Sequence, residues 1–269
     1  MTHPPLGDML ATLRGTTPLV HCITNYVAMN STANLLLATG ASPAMLHAPE
    51  EVAEFTAIAG ALSINIGTIS TPWAESMQLA ARTANATGTP WVLDPVAVGA
   101  TAFRQQVCTA LLAYRPSVIR ANASEVMALA GLASQGRGVD ATASTDEAQQ
   151  AAIDLARQQR CIVAMTGETD FVTDGTLHYR LTGGHPLMPR VTTLGCGVSA
   201  LVAAFVAANQ AHPLPATLAA LACFSIAGSR AGEQASGPGS FQVALLDALY
   251  ALTPNDLSSL SQLEALDAV

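Results

Sequence analysis

Along the chain, short and nearly unbroken apolar runs alternate with longer stretches of helical periodicity. The runs Leu19–Ile23, Ser63–Ile66, Trp91–Leu93, Val118–Arg120 and Ile162–Met165 predict strands buried on both faces. Between them the periodicity predicts helices over Tyr26–Ala38, around Trp73–Thr87, and over Thr101–Tyr114, Ser124–Ala130 and Asp146–Gln159. This alternation predicts βαβ units and a three-layer α/β/α fold with a mainly parallel central sheet. Phe171–Thr173 and Leu177–Tyr179, flanking Asp174-Gly175, predict a hairpin with a type I′ turn. Cys196–Leu252 predicts helices, with Pro215 and Pro238 near helix starts. No internal repeat interrupts the pattern. Gln135–Ser144 is the most linker-like stretch but is too short to separate domains, so residues 1–269 are expected to form one α/β domain.

Composition narrows the class. Half of the residues are hydrophobic and only 11% charged, against about 25% charged in an average domain, which excludes a disordered chain. The longest apolar stretches, Ala200–Ala208 and Leu218–Ala227 (broken by Ser225), fall short of the ~20 residues of a membrane span. Met1–Leu10 has neither the basic nor the apolar segment of a signal peptide. No membrane association is therefore expected, and the expected location is the cytoplasm. A net charge of −8 argues against a nucleic-acid partner. All eleven basic residues are arginines. Without lysine there is no Walker A motif and no Schiff-base chemistry. Any phosphate must be held by arginine, backbone N–H groups or a metal ion. The five cysteines lack CxxC spacing and make neither a disulfide framework nor a zinc site.

In such sheets ligands bind beyond the carboxyl ends of the strands, so the residues just past each apolar run are the candidates. Asn25, after the first strand, either caps the next helix or offers polar atoms to the crevice. Gly67 would let the backbone approach a ligand closely. Asp94 ends an apolar strand before Pro95, where it either faces a carboxylate to the crevice or caps or braces the following loop. Arg120 ends another, where an unpaired guanidinium would be costly. Asn122 and Glu125 follow with capping-box spacing. Two carboxylates and an arginine on neighbouring strand ends suit Mg²⁺ and phosphate. Thr166 and Gly167 either make a simple turn or offer a hydroxyl and a free N–H to a phosphate. Gly195-Cys196-Gly197 precedes an apolar helix, a ready anion site that is expected to lower the pKa of its thiol. Gly195-x-Gly197-x-x-Ala200 also matches a dinucleotide fingerprint, but the next acid, Glu233, lies too far along.

These segments, in this order, resemble the hydroxyethylthiazole kinase family of ribokinase-like fold. The resemblance rests on Val20-His21-Cys22-Ile23-Thr24-Asn25-Tyr26-Val27, Ser42-Pro43-Ala44-Met45, Asn65-Ile66-Gly67-Thr68, Leu93–Thr101, Arg120–Glu125, Thr166-Gly167-Glu168, Gly183–Leu187 and Gly237–Phe241. It implies transfer of the ATP γ-phosphate to the hydroxyl of 4-methyl-5-(2-hydroxyethyl)thiazole, in salvage of the thiazole half of thiamine. It further implies that Met45, Asn25, Gly67 and Gly195 meet the thiazole, that Arg120, Thr166 and Asn122 bind ATP, that Asp94 and Glu125 organise Mg²⁺, and that Cys196 stands where related kinases carry a catalytic aspartate. A homotrimer with the pocket between subunits is implied as well. Where the family turn reads Gly-Thr or Gly-Ser before Gly-Cys, this chain has Thr193-Leu194, so the family's substrate-binding glycine is Thr193 here. A kinase of another small heterocyclic alcohol and a catalytically decayed thiazole-binding protein are the competing readings. Cysteine in place of aspartate at position 196 argues against the first, and Asp94, Arg120 and Glu125 argue against the second.

Overall fold

The computed structural model describes residues 5–132 and 145–266. In chain order the elements are α1 (Leu6–Thr16), β1 (Leu19–Ile23), α2 (Met29–Thr39), β2 (Ser42–Ala44), α3 (Val52–Ile58), β3 (Ala61–Asn65), α4 (Thr71–Thr87), β4 (Trp91–Asp94), α5 (Ala102–Leu112), β5 (Val118–Asn122) and α6 (Ala123–Leu129). Then come α7 (Thr145–Gln159), β6 (Ile162–Thr166), β7 (Thr169–Thr173), β8 (His178–Thr182), α8 (Leu194–Ala208), α9 (Pro213–Gln234), α10 (Pro238–Ala251), α11 (Pro254–Leu260) and β9 (Gln262–Leu266). The described strands form one sheet in the order β2-β1-β3-β4-β5-β6-β7-β8-β9. It is parallel from β2 to β6 and antiparallel from β6 to β9. Residues alternate between two apolar layers, as a strand period of two requires. Val20, Val92 and Val118 pack with α1, α2 and α8–α11, while Ile23, Leu93 and Ile119 pack with α3–α7. This is the expected three-layer α/β/α fold.

Several expectations are corrected locally. The helix expected from Tyr26 begins at Met29, because the Asn25 side-chain oxygen accepts from Val27 N and Ala28 N and holds these residues in a turn. The hairpin turn is not type I′: the strands are joined through Asp174–Leu177, with the Asp174 carboxylate accepting from the N–H groups of Thr176 and Leu177. Gly175 takes a positive φ, but Asp174 does not, whereas type I′ needs both. By length and composition α9 is apolar enough to cross a membrane, contrary to expectation, but most of it is buried. Its alanines let α1, α8 and α10 pack closely around it. The linker-like stretch Gln135–Ser144 lies outside the described residues, as do Met1–Pro4 of the segment read for a signal peptide.

The chain order reverses between β1 and β3, with β2 on one side and β4–β6 on the other. The crevice outside the carboxyl ends of these strands is the switch point where such sheets bind ligands.

Candidate active site

The strand-end residues stand in a row that follows the sheet. Met45 follows β2, Asn25 follows β1, Gly67 follows β3, Asp94 ends β4, Arg120 and Asn122 belong to β5, and Thr166 ends β6. From β1 to β6 the row crosses four strand spacings, about 19 Å. Helix α8, whose first turn carries Gly195 and Cys196, packs on β1, β3 and β4.

At the centre is Asp94, which is 1% exposed. Its Oδ2 accepts from Asn65 Nδ2 at 2.7 Å and Ser199 Oγ at 2.7 Å, with Arg120 Nη1 3.9 Å away. Its Oδ1 is buried and has no hydrogen-bond partner. Burial and, secondarily, the nearby Glu125 carboxylate push the Asp94 pKa up to about 6, against the opposing pull of Arg120. Asn65 is fixed in turn: its Oδ1 accepts from Asn25 Nδ2 at 2.8 Å and Gly67 N at 2.9 Å. The second N–H of Asn25 donates to Cys196 Sγ at 3.2 Å. One hydrogen-bonded chain thus joins Cys196, Asn25, Asn65 and Asp94. Asn25 does not cap the helix, whose N-cap residue is Ala28; its oxygen holds the preceding turn, and its nitrogen joins Asn65 to Cys196 at the crevice. Gly67 acquires a different reason: a Cβ there would lie 2.6 Å from Asn25 Nδ2, so it is the Asn25 amide that needs the missing side chain.

Glu125 completes a capping box, its Oε2 accepting from Asn122 N and the Asn122 Oδ1 accepting from Glu125 N. Its Oε1 accepts from Ala97 N at 2.8 Å and holds the loop after β4, where Ala97 has φ +56°. Each carboxylate oxygen keeps a lone pair. Arg104, on α5, clamps the same region by donating to the carbonyls of Ile66, Gly67 and Val96. Arg120 Nη2 donates to Thr166 Oγ1, while Arg120 Nε is buried without a partner.

Three expectations change here. The Gly167 N–H is not free, because it donates to Asp170 Oδ1 at 3.0 Å. Asp170 is itself pushed up to about 6 by burial, against the pull of the Gly167 hydrogen bond and of Arg120. The Gly197 N–H is also taken, donating to Thr193 O, and a Cβ at Gly197 would strike Leu35 Cδ1 at 2.2 Å. Gly197 therefore serves the packing of α8 on α2, and the first-turn donors are those of Leu194, Gly195 and Cys196. A Cβ at Gly195, by contrast, would lie 3.1 Å from Arg120 Nη1. Finally, the Cys196 pKa is raised, not lowered, because burial and the Asp94 carboxylate outweigh the hydrogen bonds from Asn25 and Asn65.

Thr193 sits at φ +72°, the left-handed region, as the residue before α8. A β-branched residue is strained there. Its hydroxyl is 2.5 Å from Ser31 Oγ on α2, which ties the strained turn down. Asn65, Ser199, Ser31, Arg104 and Asp170 were not singled out from the sequence. Only the Asn65-Ile66-Gly67 spacing hinted at one of them; the others lie in ordinary helix or strand patterns.

Among the described residues no group of three or more His, Cys, Asp or Glu side chains gathers as a metal site. Two carboxylates, one with a bare buried oxygen, still fit a hard cation that keeps water or phosphate as its other ligands.

A family model described as the hydroxyethylthiazole kinase family matches residues 10–255. A hydroxyethylthiazole kinase of Rhizobium rhizogenes is 56% identical over 253 residues, 94% of each chain. The solved structure of a hydroxyethylthiazole kinase from Pyrococcus horikoshii superposes with a TM-score of 0.90 at 42% identity, covering 97% of this chain and 99% of that one. A ribokinase-like superfamily protein from Enterococcus faecalis, 11% identical, superposes with a TM-score of 0.65 over 94% of this chain and 96% of that one, a likeness of fold alone.

Proposed function

The chain belongs to the hydroxyethylthiazole kinase family, and on that premise we propose how its crevice performs the transfer of the ATP γ-phosphoryl group to the hydroxyl of 4-methyl-5-(2-hydroxyethyl)thiazole. The reaction serves thiazole salvage for thiamine synthesis. The observation that carries the reading is the row itself, with Met45, Asn25 and Gly67 at one end, Asp94 in the middle and Arg120 and Thr166 at the other. The alcohol occupies the β2–β1–β3 end beside Met45. The ATP phosphates extend from Arg120 and Thr166 toward the first turn of α8.

The alcohol oxygen bonds to the γ-phosphorus as the bond from that phosphorus to the β-bridging oxygen breaks, and ADP leaves. Phosphoryl transfer of this kind needs positioning and charge neutralisation more than a strong base. Arg120 and the N–H groups of Gly195 and Cys196 supply donors for the developing charge. Asp94 and Glu125 would hold Mg²⁺, which when bound neutralises phosphate charge. Asn65 and Ser199 saturate Asp94 Oδ2, and the buried Oδ1 keeps no hydrogen-bond partner of its own and is the oxygen available for that purpose. Cys196 stays a thiol at neutral pH and orients the alcohol, whose own proton leaves late, to solvent.

A homotrimer with the pocket between subunits is part of this reading. Its support is the exposure of Tyr26 (63%) and Val27 (60%), apolar side chains beside Asn25. Residues 1–269 act as one kinase domain, in the cytoplasm where ATP is available. The test is ATP consumption measured against a panel of thiazole and pyrimidine alcohols, with and without Mg²⁺. Turnover confined to the hydroxyethylthiazole and dependent on Mg²⁺ is the expected result. Turnover of a pyrimidine alcohol alone would overturn the substrate, and no turnover of any alcohol would favour a binding protein.

A further inference from the structure

The crevice wall farthest from Arg120 hangs from the edge of the sheet. There Met45 follows a strand of three residues, paired to β1 through Leu19–Ser42, Val20–Pro43 and His21–Ala44. Pro43 has no N–H to contribute to that ladder. So short an edge strand gives weak control over the residues beyond it. Two further contacts supply that control. His21 is fully buried beneath β2, and both of its ring nitrogens are engaged: Nε2 lies 3.0 Å from Leu46 O and Nδ1 3.0 Å from Thr56 Oγ1. A carbonyl oxygen only accepts, so Nε2 carries the proton. Burial holds the ring below its ordinary pKa and therefore neutral, so Nδ1 is an acceptor that shares the single Thr56 hydroxyl proton with Val52 O. Thr56 is anchored on α3, within 2.7 Å of Val52 O, and Phe55 packs edge-on against the ring at 5.3 Å. The Leu46 carbonyl thus selects the tautomer with Nε2 protonated, and helix α3 fixes the orientation of the ring through Thr56 and Phe55. The next residue is anchored too: the His47 ring packs on Trp73 at 4.5 Å, and Trp73 on Tyr26 at 4.6 Å.

We propose that His21 is a positioning residue for the alcohol substrate, holding the Leu46 carbonyl and so setting how far Met45 reaches into the crevice. The proposal rests on the reading of Met45 as a substrate contact. A buried histidine that merely stabilised the fold would affect every kinetic constant alike. One that positions Met45 affects the alcohol and spares the nucleotide, because Arg120 and Thr166 lie three and four strands from His21 in the sheet.

The experiment is steady-state kinetics with alcohol and ATP varied separately, for His21→Leu, His21→Gln, Thr56→Val and Met45→Ala. Alongside it, Trp73 fluorescence reports alcohol binding without ATP. His21→Leu is expected to raise KM for the alcohol about tenfold, the scale of one lost buried hydrogen bond. The kcat and the KM for ATP should stay within about twofold. His21→Gln keeps an amide N–H for Leu46 and should recover most of the loss. Thr56→Val releases the ring and should raise the same KM by a smaller factor. Fluorescence should show alcohol affinity falling in step with these KM values. Should His21→Leu fail to fold, the Gln and Val variants carry the test. If they lower kcat with the alcohol KM unmoved, or move both KM values together, His21 is structural only and the proposal falls. An unchanged alcohol KM in Met45→Ala, with the His21 variants as expected, would instead remove Met45 from the site and overturn the route through it.

Discussion

At the scale of single residues, burial decides against the helix dipole. The first turn of α8 favours a thiolate, yet Cys196 lies half-buried beside Asp94 and its pKa rises. The other four cysteines are buried and pushed up to about 12. Iodoacetamide should therefore still select Cys196, but only slowly at neutral pH and faster as pH climbs above the ordinary thiol value. Fast alkylation at pH 7 would contradict this. A neutral thiol that orients the alcohol predicts a kcat loss of about tenfold or less in Cys196→Ala, below the ~10²–10⁴ of general-base catalysis; a loss beyond a hundredfold would make the thiol a base. Asp94 carries the opposite cost. Its pKa is raised from 3.8 to about 6, so its ionised form is the destabilised one in the folded chain. The stability it contributes is present below its unfolded value and lost as pH rises through about 6, by roughly 2–3 kcal/mol. Asp94→Asn should abolish turnover yet raise the Tm of the ligand-free protein at pH 8, with the gain shrinking toward pH 5. Equal destabilisation at both pH values would show that the carboxylate is needed for folding.

At the scale of elements, the two glycines flanking Cys196 look alike in sequence and do different work. Gly197 faces Leu35 across the α8–α2 contact, where an added methyl overpacks a buried interface. Gly197→Ala should cost about 1–3 kcal/mol of stability, with turnover at saturation largely kept by the molecules that remain folded. Gly195 faces Arg120. Gly195→Ala should leave stability nearly unchanged, since alanine is the better helix former, while kcat/KM for ATP falls. Urea unfolding and ATP kinetics on the two variants separate these outcomes. If both variants lose stability equally and neither changes ATP kinetics, Gly195 has no part in the anion site.

For the whole molecule, the crevice is bordered on one side by exposed apolar surface at Tyr26 and Val27, next to the Asn25 amide that holds Cys196. A second and third copy covering that surface would close the alcohol end of the row. Sedimentation equilibrium should give three times 27.6 kDa, and Val27→Glu should both dissociate the assembly and weaken alcohol binding. A fully active species of 27.6 kDa would refute the trimer. Over the same length scale α9 shows how composition misleads. Its apolar length suits a membrane, but its alanine-rich faces are spent inside the protein against neighbouring helices.

How much of this was legible follows from the range of each interaction. Strand and helix periodicity, the position of Asp94 and Arg120 at strand ends, and the capping-box spacing of Asn122 and Glu125 are local, so the sequence by itself determined the α/β/α class and most of the row of strand-end residues. It passed over β2, α3, α11 and β9, whose few residues leave little pattern, and over the longer α1 as well. The partners of those residues come from far along the chain. Ser199 reaches Asp94 from α8, Arg104 gathers three carbonyls from two loops, and His21 meets Leu46 only once β2 lies beside β1. The sign of the Cys196 shift belongs with these. A thiol's local sequence specifies the helix end it sits on, but desolvation and a facing carboxylate exist only after the layers have packed, and in a buried crevice they are the larger effect.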